Sequence, residues 1–476
     1  MRVACMSLPR FTAGTARIAA GMALLFLASI ALFWPGYVQY DSLGQYRQAL
    51  SGSYEDWHPP VMAHLWAAFG PHGQAPMMLV QLAGYWIGFG ALIVALAATG
   101  RRRAALALLA IALWPPLLGW QPVVLKDTQM LGAMLAATGL VGWWRLRAQP
   151  LPKAAWAAVA ILLGYAVLVR ANAVFAVVPF AAMLARRQTG VPRARNAILG
   201  VAGSLLAILI AIGLSSPINH DLLGASRSGV ERTQPTYDLA GIAVRSGATD
   251  AGLSPRSIAA LRRKACVRAY FWDPLGEERR CQGDVAGLAA LSPATLYARW
   301  ALAAVHHPLA YAAHRLAHLD STDRWLVPHR WPGAEPPASN EPNTLGLEEP
   351  GEAAQRWQRL AAALTDLPPG WPVVWIVVAL AGLVPALRRD DGAGRLAAAL
   401  FVSALALEGS FAMLSIASDL RYHLWSMVAT AIGCVLLGRM RWRPAMVVLL
   451  ALVLLAGVAA RLVLPVPPQS YAGMLG

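Results

Sequence analysis

From Ile18 to Phe33 the chain reads IAAGMALLFLASIALF, and the run closes at Trp34-Pro35-Gly36. Such a stretch has no charge and no polar face, so it suits a lipid interior rather than a water-facing helix. Its stop is bulky, which argues against the small residues of a signal-peptide cleavage site. Working outward, further apolar runs begin near Ala75, Ala104, Val124, Ala154, Ala173, Asn196, Pro372, Leu396, Leu424 and Ala445. Each has about the length that crosses a hydrocarbon core of ~30 Å. The expected fold is therefore an all-α polytopic membrane protein with about eleven transmembrane helices. Composition agrees: of 476 residues, 57% are hydrophobic and 13% charged. These values exclude a cytosolic enzyme, a disordered chain and a fibrous one.

The net charge of +16 could suggest nucleic acid, but its placement decides otherwise. Outside residues 215–370 there are 24 basic residues, and 19 lie in the N-terminal segment or in five Arg/Lys-rich loops. Those loops are Arg101 to Arg103, Arg145 to Lys153, Arg186 to Arg195, Arg388 to Arg395 and Arg439 to Arg443. They fall on alternate connections, as the positive-inside rule requires. The N-terminus is thus expected in the cytoplasm and the opposite loops in the periplasm. No nucleic-acid partner is needed, and membrane lipids are the expected surroundings. Richness in Ala, Arg and Gly fits a high-GC bacterium, and a bacterial inner membrane is the expected location.

Three segments follow. Residues 1–214 form an N-terminal membrane module of about seven helices, with a first outer loop at 37–76. Residues 215–370 are polar and balanced, with 16 basic and 16 acidic residues, and read as a periplasmic domain. They include helical pieces at Pro255 to Tyr270 and Ala294 to Leu319, and an irregular surface loop at Pro328 to Pro350. Residues 371–476 add about four helices. Cys266 and Cys281 lie in the outer segment, where a disulfide is expected. A zinc site is the other reading, without paired Cys-x-x-Cys spacing to support it.

Ionisable residues that topology does not explain are the informative ones in a membrane protein. The first outer loop carries Tyr40-Asp41-Ser42, then Tyr54-Glu55-Asp56-Trp57-His58-Pro59-Pro60. Asp41 is either the cap of a short interfacial helix bearing Leu43, Tyr46 and Leu50 on one face, or a reactive carboxylate. A second short run, Val61 to Phe69, cannot span. The next outer loop ends in Lys126-Asp127, which is either a neutralised pair or an ammonium for phosphate beside a second carboxylate. Arg170, in Leu168-Val169-Arg170-Ala171-Asn172-Ala173, suits a phosphate partner or an Asp. Ser418-Asp419-Leu420-Arg421-Tyr422-His423 repeats the theme. Glu408 sits mid-helix, as a cavity residue or a hydrogen-bonded packing residue. Carboxylates could take a proton from an acceptor, and cations could stabilise a departing phosphate.

These residues resemble the GT-C superfamily of membrane glycosyltransferases, in its family 39, protein O-mannosyltransferase-like branch. Tyr40-Asp41 resembles the acidic motif after the first helix, and His58-Pro59-Pro60-Val61 a His-Pro-Pro-Leu element. Asp127 resembles the second acidic position, Leu168 to Ala173 an Arg-Pro-Asn-like element, and Arg421-Tyr422 a late Arg-Tyr. Asp41-Ser42 replaces the usual Asp-Glu, and the outer domain interrupts the helices instead of following them. The resemblance implies inverting transfer from a polyprenyl-phosphate sugar donor to a periplasmic acceptor, with Asp41 as base and Asp127 assisting or positioning the acceptor. The motifs imply His58, Arg170, Asn172, Arg421 and Tyr422 as substrate-binding residues, and Asp56, Lys126 and His423 join that set from the reading of their own loops. No ligand set demands a metal, although metal use varies in the superfamily and Mg or Mn is compatible. A lipid-linked glycan flippase, or a ligase or polymerase that consumes a diphosphate-linked glycan, would carry a similar charged face. Absence of internal symmetry weighs against the transporter.

Overall fold

The computed structural model describes residues 13–185, 193–439 and 442–475. Arg2, Cys5, Arg10, Arg441 and most of the basic loop at Arg186 to Arg195 lie outside these. The described residues are helical, with three isolated β-bridges and no strand. In chain order the first helices are α1 (Ala13–Phe33), α2 (Tyr40–Ser51), α3 (Val61–Ala68), α4 (Ala75–Ala98), α5 (Arg102–Ala112), α6 (Pro115–Trp120) and α7 (Lys126–Arg145). Then come α8 (Lys153–Val169), α9 (Val174–Ala185) and α10 (Arg193–Pro217). The outer segment holds α11 (Thr233–Ser246), α12 (Pro255–Arg263), α13 (Asp273–Gly276), α14 (Ala286–Ala289), α15 (Pro293–His306), α16 (Pro308–Asp323) and α17 (Glu352–Thr365). The chain closes with α18 (Pro372–Leu387), α19 (Gly392–Phe411), α20 (Leu424–Leu437), α21 (Pro444–Val463) and α22 (Tyr471–Leu475).

Six helices among the described residues are long and apolar enough to cross a membrane, and α8, α18 and the 171–185 stretch are shorter apolar helices. The run from Ala104 is not one helix. It breaks between α5 and α6 at Trp114-Pro115-Pro116, because Pro115 lacks an N–H and forces extended backbone on Trp114. The expected helix at Ala294 to Leu319 likewise divides, at His307-Pro308, into α15 and α16. The piece expected to reach Tyr270 ends at Arg263. In α2, Leu43 and Tyr46 are buried as expected, whereas Leu50 is exposed.

The membrane helices share one core, to which α1, α4, α7, α9, α19 and α20 all contribute. Its tightest seam lies between α4 and α7. A Cβ on Gly84 would sit 2.8 Å from the backbone of Gly132, and one on Gly132 would sit 2.9 Å from the carbonyl oxygen of Gln81. Glycine therefore permits backbone contact there, as small residues do in membranes. Gln81, Gln129 and Tyr165 bond to one another beside the seam. Gln129 donates to Met77 O and to Gln81 Oε1, both at 3.0 Å, and accepts from Tyr165 Oη at 3.2 Å.

Among the described residues, Arg101, Arg145 and Arg389 of three basic loops lie at one end of the bundle. Arg101 donates to Leu436 O at 2.7 Å, Arg145 to Leu184 O at 2.6 Å, and Arg389 to Leu437 O at 2.9 Å. The outer segment caps the other end with its own core, around Tyr237, Leu239, Ile242, Leu261 and Leu288. Cys266 and Cys281 form a disulfide within it. The irregular stretch after α16 is anchored rather than loose. Asn340 Oδ1 accepts from Val38 N–H at 2.9 Å, Glu341 N–H donates to Val38 O at 3.0 Å, and α17 packs on α6 and sets Trp357 edge-to-face with Phe33.

Candidate active site

Two helix N-termini are tied together at the capped end. Tyr37 and Val123 form a parallel bridge: Tyr37 N–H donates to Pro122 O at 2.9 Å and Val124 N–H to Tyr37 O at 2.8 Å. Three residues past that bridge α2 begins, and α7 begins two residues past Val124. Ser42 reinforces the join, accepting from Gln39 N–H at 3.0 Å and donating to Val124 O at 2.5 Å. Each helix thus presents an aspartate in its first turn, Asp41 on α2 and Asp127 on α7, where the helix dipole favours negative charge.

Three cations and the imidazole of His58 close on these carboxylates. Arg421, on the 3₁₀ turn Leu420–His423 before α20, lies 3.0 Å from Asp41 and 3.0 Å from Asp419, with Asp127 at 3.9 Å. Lys126 lies 3.9 Å and His58 Nε2 3.5 Å from Asp41. Lys126 also contacts His58 Nδ1. Arg170, at the C-cap of α8, pairs with Asp127, donates to Asn172 Oδ1 at 2.6 Å and lies 4.4 Å from the ring centre of Tyr422. Three carboxylates (Asp41, Asp127, Asp419) thus balance three cations (Lys126, Arg170, Arg421).

Electrostatics sharpen the picture. Burial alone would raise the Asp41 carboxyl, but Arg421, Lys126 and His58 overcome it and hold it well below the usual carboxylate range. Burial, then the Lys126 charge, pushes the His58 imidazole down, so it is neutral at pH 7. Asp273 is pushed up to about 6 by burial, against a hydrogen bond from Tyr471 at 3.1 Å and with the fields of Asp419 and Asp41 adding to the rise.

Of the residues singled out in the sequence, Asp41, Asp127, His58, Lys126, Arg170, Asn172, Arg421 and Tyr422 come together here. Asp56 and His423 turn elsewhere. Asp56 accepts from Ser228 N–H and Oγ, both at 2.6 Å, and lies 3.3 Å from His220, so it joins the first outer loop to the chain after α10. His423 points away from Arg421 and meets Glu408 at 2.8 Å. Glu408 is buried and also contacts Ser426.

Sequence reasoning passed over the contribution of the outer segment. Tyr270 donates to Asp419 Oδ1 at 3.2 Å, and the rings of Trp272 and Trp57 pack at a tilt with their centres 6.0 Å apart. Trp272 N–H donates to Ile416 O at 2.9 Å, docking this strip beside the turn that carries Arg421. The signal was present as an aromatic run, Tyr270-Phe271-Trp272, followed by Asp273 in an otherwise polar stretch.

No protein-family model and no curated protein matches the chain. Among solved structures it is similar to the crystal structure of ArnT from Cupriavidus metallidurans bound to undecaprenyl phosphate. The two chains are 15% identical, the match covers 90% of this chain and 79% of that one, and the TM-score is 0.29. At that score the likeness carries no weight in assigning a function.

Proposed function

We propose that the chain is a GT-C-like membrane glycosyltransferase that takes a sugar from a polyprenyl-phosphate donor. The carrying observation is Asp41, a carboxylate within 3.0–3.9 Å of Arg421, His58 and Lys126, which arrive from three separate elements. A carboxylate and a convergent set of phosphate-binding cations are what such a transfer uses. An apolar groove of ≈ 580 Å³ between α8 and α9 supports a lipid-linked donor. Its lining, which includes Trp156, Leu163, Val167, Leu168 and Val177, ends two residues before Arg170.

In the proposed reaction the acceptor O–H or N–H gives its proton to Asp41 as its heteroatom attacks the anomeric carbon. The bond from that carbon to the phosphate oxygen breaks, the configuration inverts, and polyprenyl phosphate departs against Lys126, Arg170 and Arg421. Asp41 is a weak base while those cations hold it. A donor phosphate that engages Arg421 and Lys126 would draw them off Asp41 and strengthen it as a base, so donor binding would arm the catalyst. Asp127, 3% exposed and paired with Arg170, is read as a positioning residue. The placement is a bacterial cytoplasmic membrane, with the basic-loop end in the cytoplasm and Asp41 facing the periplasm.

The test is turnover by purified protein in proteoliposomes, supplied with a panel of polyprenyl-monophosphate sugars, with release of polyprenyl phosphate as readout. Wild type should release it, and Asp41→Asn should lose about 10²–10⁴-fold. Equal release by both would remove Asp41 from the mechanism. No release by wild type, with or without candidate acceptors and divalent metal, would sink the donor class and favour the flippase or the diphosphate-consuming ligase.

A further inference from the structure

Behind Arg421, on the far side of the same 3₁₀ turn, three buried side chains from three elements meet. Asp323 ends α16, Glu408 lies in the last turns of α19, and His423 closes the turn. One ligand atom from each lies within 4.8 Å of the others. His423 Nδ1 is 2.8 Å from Glu408 Oε2, and His423 Nε2 is 3.2 Å from Thr322 Oγ1. Asp323 is 8% exposed, and its Oδ1 is buried without a hydrogen-bond partner.

Two buried carboxylates beside one imidazole are costly unless a proton or a metal cation lies among them. Neighbouring arginines are engaged elsewhere. Arg324 donates to Trp331 O and Pro332 O at 2.8–2.9 Å, and Arg315 to Phe411 O, Ala412 O and Ser415 O at 2.9–3.1 Å. Tetrahedral zinc–ligand bonds of about 2.0–2.2 Å put two ligand atoms roughly 3.3–3.6 Å apart, so the trio, now within 4.8 Å, closes on an ion by side-chain shifts of about 1 Å. One imidazole and two carboxylates, with no thiolate, suit a borderline divalent ion better than magnesium, which keeps an octahedral oxygen shell.

We propose that Asp323, Glu408 and His423 bind one divalent cation of the zinc type. The ion would clamp the outer helix α16 to the membrane helices α19 and α20. It would also fix the turn that presents Arg421 and Tyr422, so the trio are positioning residues for the neighbouring site. The inference stands on the trio's own geometry and is independent of the glycosyltransferase reading.

The experiment uses full-length protein carrying no polyhistidine tag, stripped with chelator in detergent and titrated calorimetrically with Zn²⁺ alone. Wild type should bind one equivalent with Kd below about 10 µM. Asp323→Asn and Glu408→Gln should each weaken binding roughly 100-fold or more. Asp250→Asn, which alters an exposed cluster with His306 and His307, should leave it unchanged. Wild-type protein loaded with Co²⁺ provides a readout that needs no variant to fold: a low-coordinate nitrogen–oxygen site gives intense visible bands. The proposal fails if wild type binds no Zn²⁺ tighter than about 100 µM, or if the Co²⁺ spectrum matches the aqueous ion. It fails equally if Asp250→Asn abolishes binding that both carboxamide variants retain. Absence of wild-type binding together with a thermal gain in Asp323→Asn would mean that the two carboxyls share a proton instead.

Discussion

Replacing Arg421 with glutamine separates structure from chemistry in this site. The guanidinium serves Asp41 and Asp419 at 3.0 Å each, with its side chain only 11% exposed. At an effective dielectric of about 20, each such contact is worth roughly 5 kcal/mol of gross attraction. The net penalty for leaving the carboxylates unpaired is about 3–5 kcal/mol, because desolvation offsets much of that attraction. Removing one preorganised charge at a departing phosphate should cost a further 10²–10³-fold in kcat, about 2.7–4 kcal/mol. Arg421→Gln is therefore expected to melt lower in detergent and to turn over 10²–10³-fold more slowly. The double variant Arg421→Gln/Asp419→Asn restores the balance of carboxylates and cations. It should recover most of the thermal stability and none of the turnover. The assay is a melt and a donor-consumption rate on the same preparations. If the double variant regains activity, Arg421 serves only charge balance, and its role as a phosphate ligand is wrong.

Three further outcomes are expected. His58 has a folded pKa below its unfolded value of about 6.5, so the unfolded chain takes up the proton first and stability falls as pH drops through that value. Between pH 7.5 and 5.5 wild type should lose more stability than His58→Asn, by up to about 1.4 kcal/mol per pH unit; equal slopes would show a charged or exposed imidazole. Cutting the Cys266–Cys281 link, which closes a loop of 15 residues, should cost about 3 kcal/mol in a melt with and without reductant. Gly132→Val forces a side chain against Gln81 O and should cost about 1–3 kcal/mol. Because α7 carries Lys126 and Asp127, that variant should also slow turnover; unchanged melting would mean that the α4–α7 seam yields easily.

The membrane helices were legible because lipid leaves no alternative to long apolar runs, and basic loops marked one end by charge alone. Asp41, Lys126, Arg170 and Arg421 stood out because no topological rule accounts for them. Proline explains where reading faltered: Pro115 and Pro308 cut runs whose hydrophobicity continued across the break. His423 was misleading for a different reason. It adjoins Arg421-Tyr422 in sequence, but a 3₁₀ turn sends successive side chains in different directions, so adjacency in the chain became opposition in space. Asp323 was invisible as a partner of Glu408 because 85 positions separate them. The anchoring of Asn340 and Glu341 to Val38 was hidden likewise, since irregular backbone leaves no periodic trace.

That anchoring has a consequence for how the site could change over evolution or in the laboratory. Both backbone groups of Val38 are engaged by Asn340 and Glu341, and those of Tyr37 by Pro122 and Val124. The approach to Asp41 therefore has no slack, and an arriving ligand must be met by side-chain rotation alone. Trp57 and Tyr270 hang on separate joins, Glu55 with Ser226 and Phe271 with Ala417, at the perimeter of the site. Substrate preference could drift at that perimeter while the aspartate stays pinned, giving a chassis whose tolerance for new cargo is decoupled from the integrity of its reactive group.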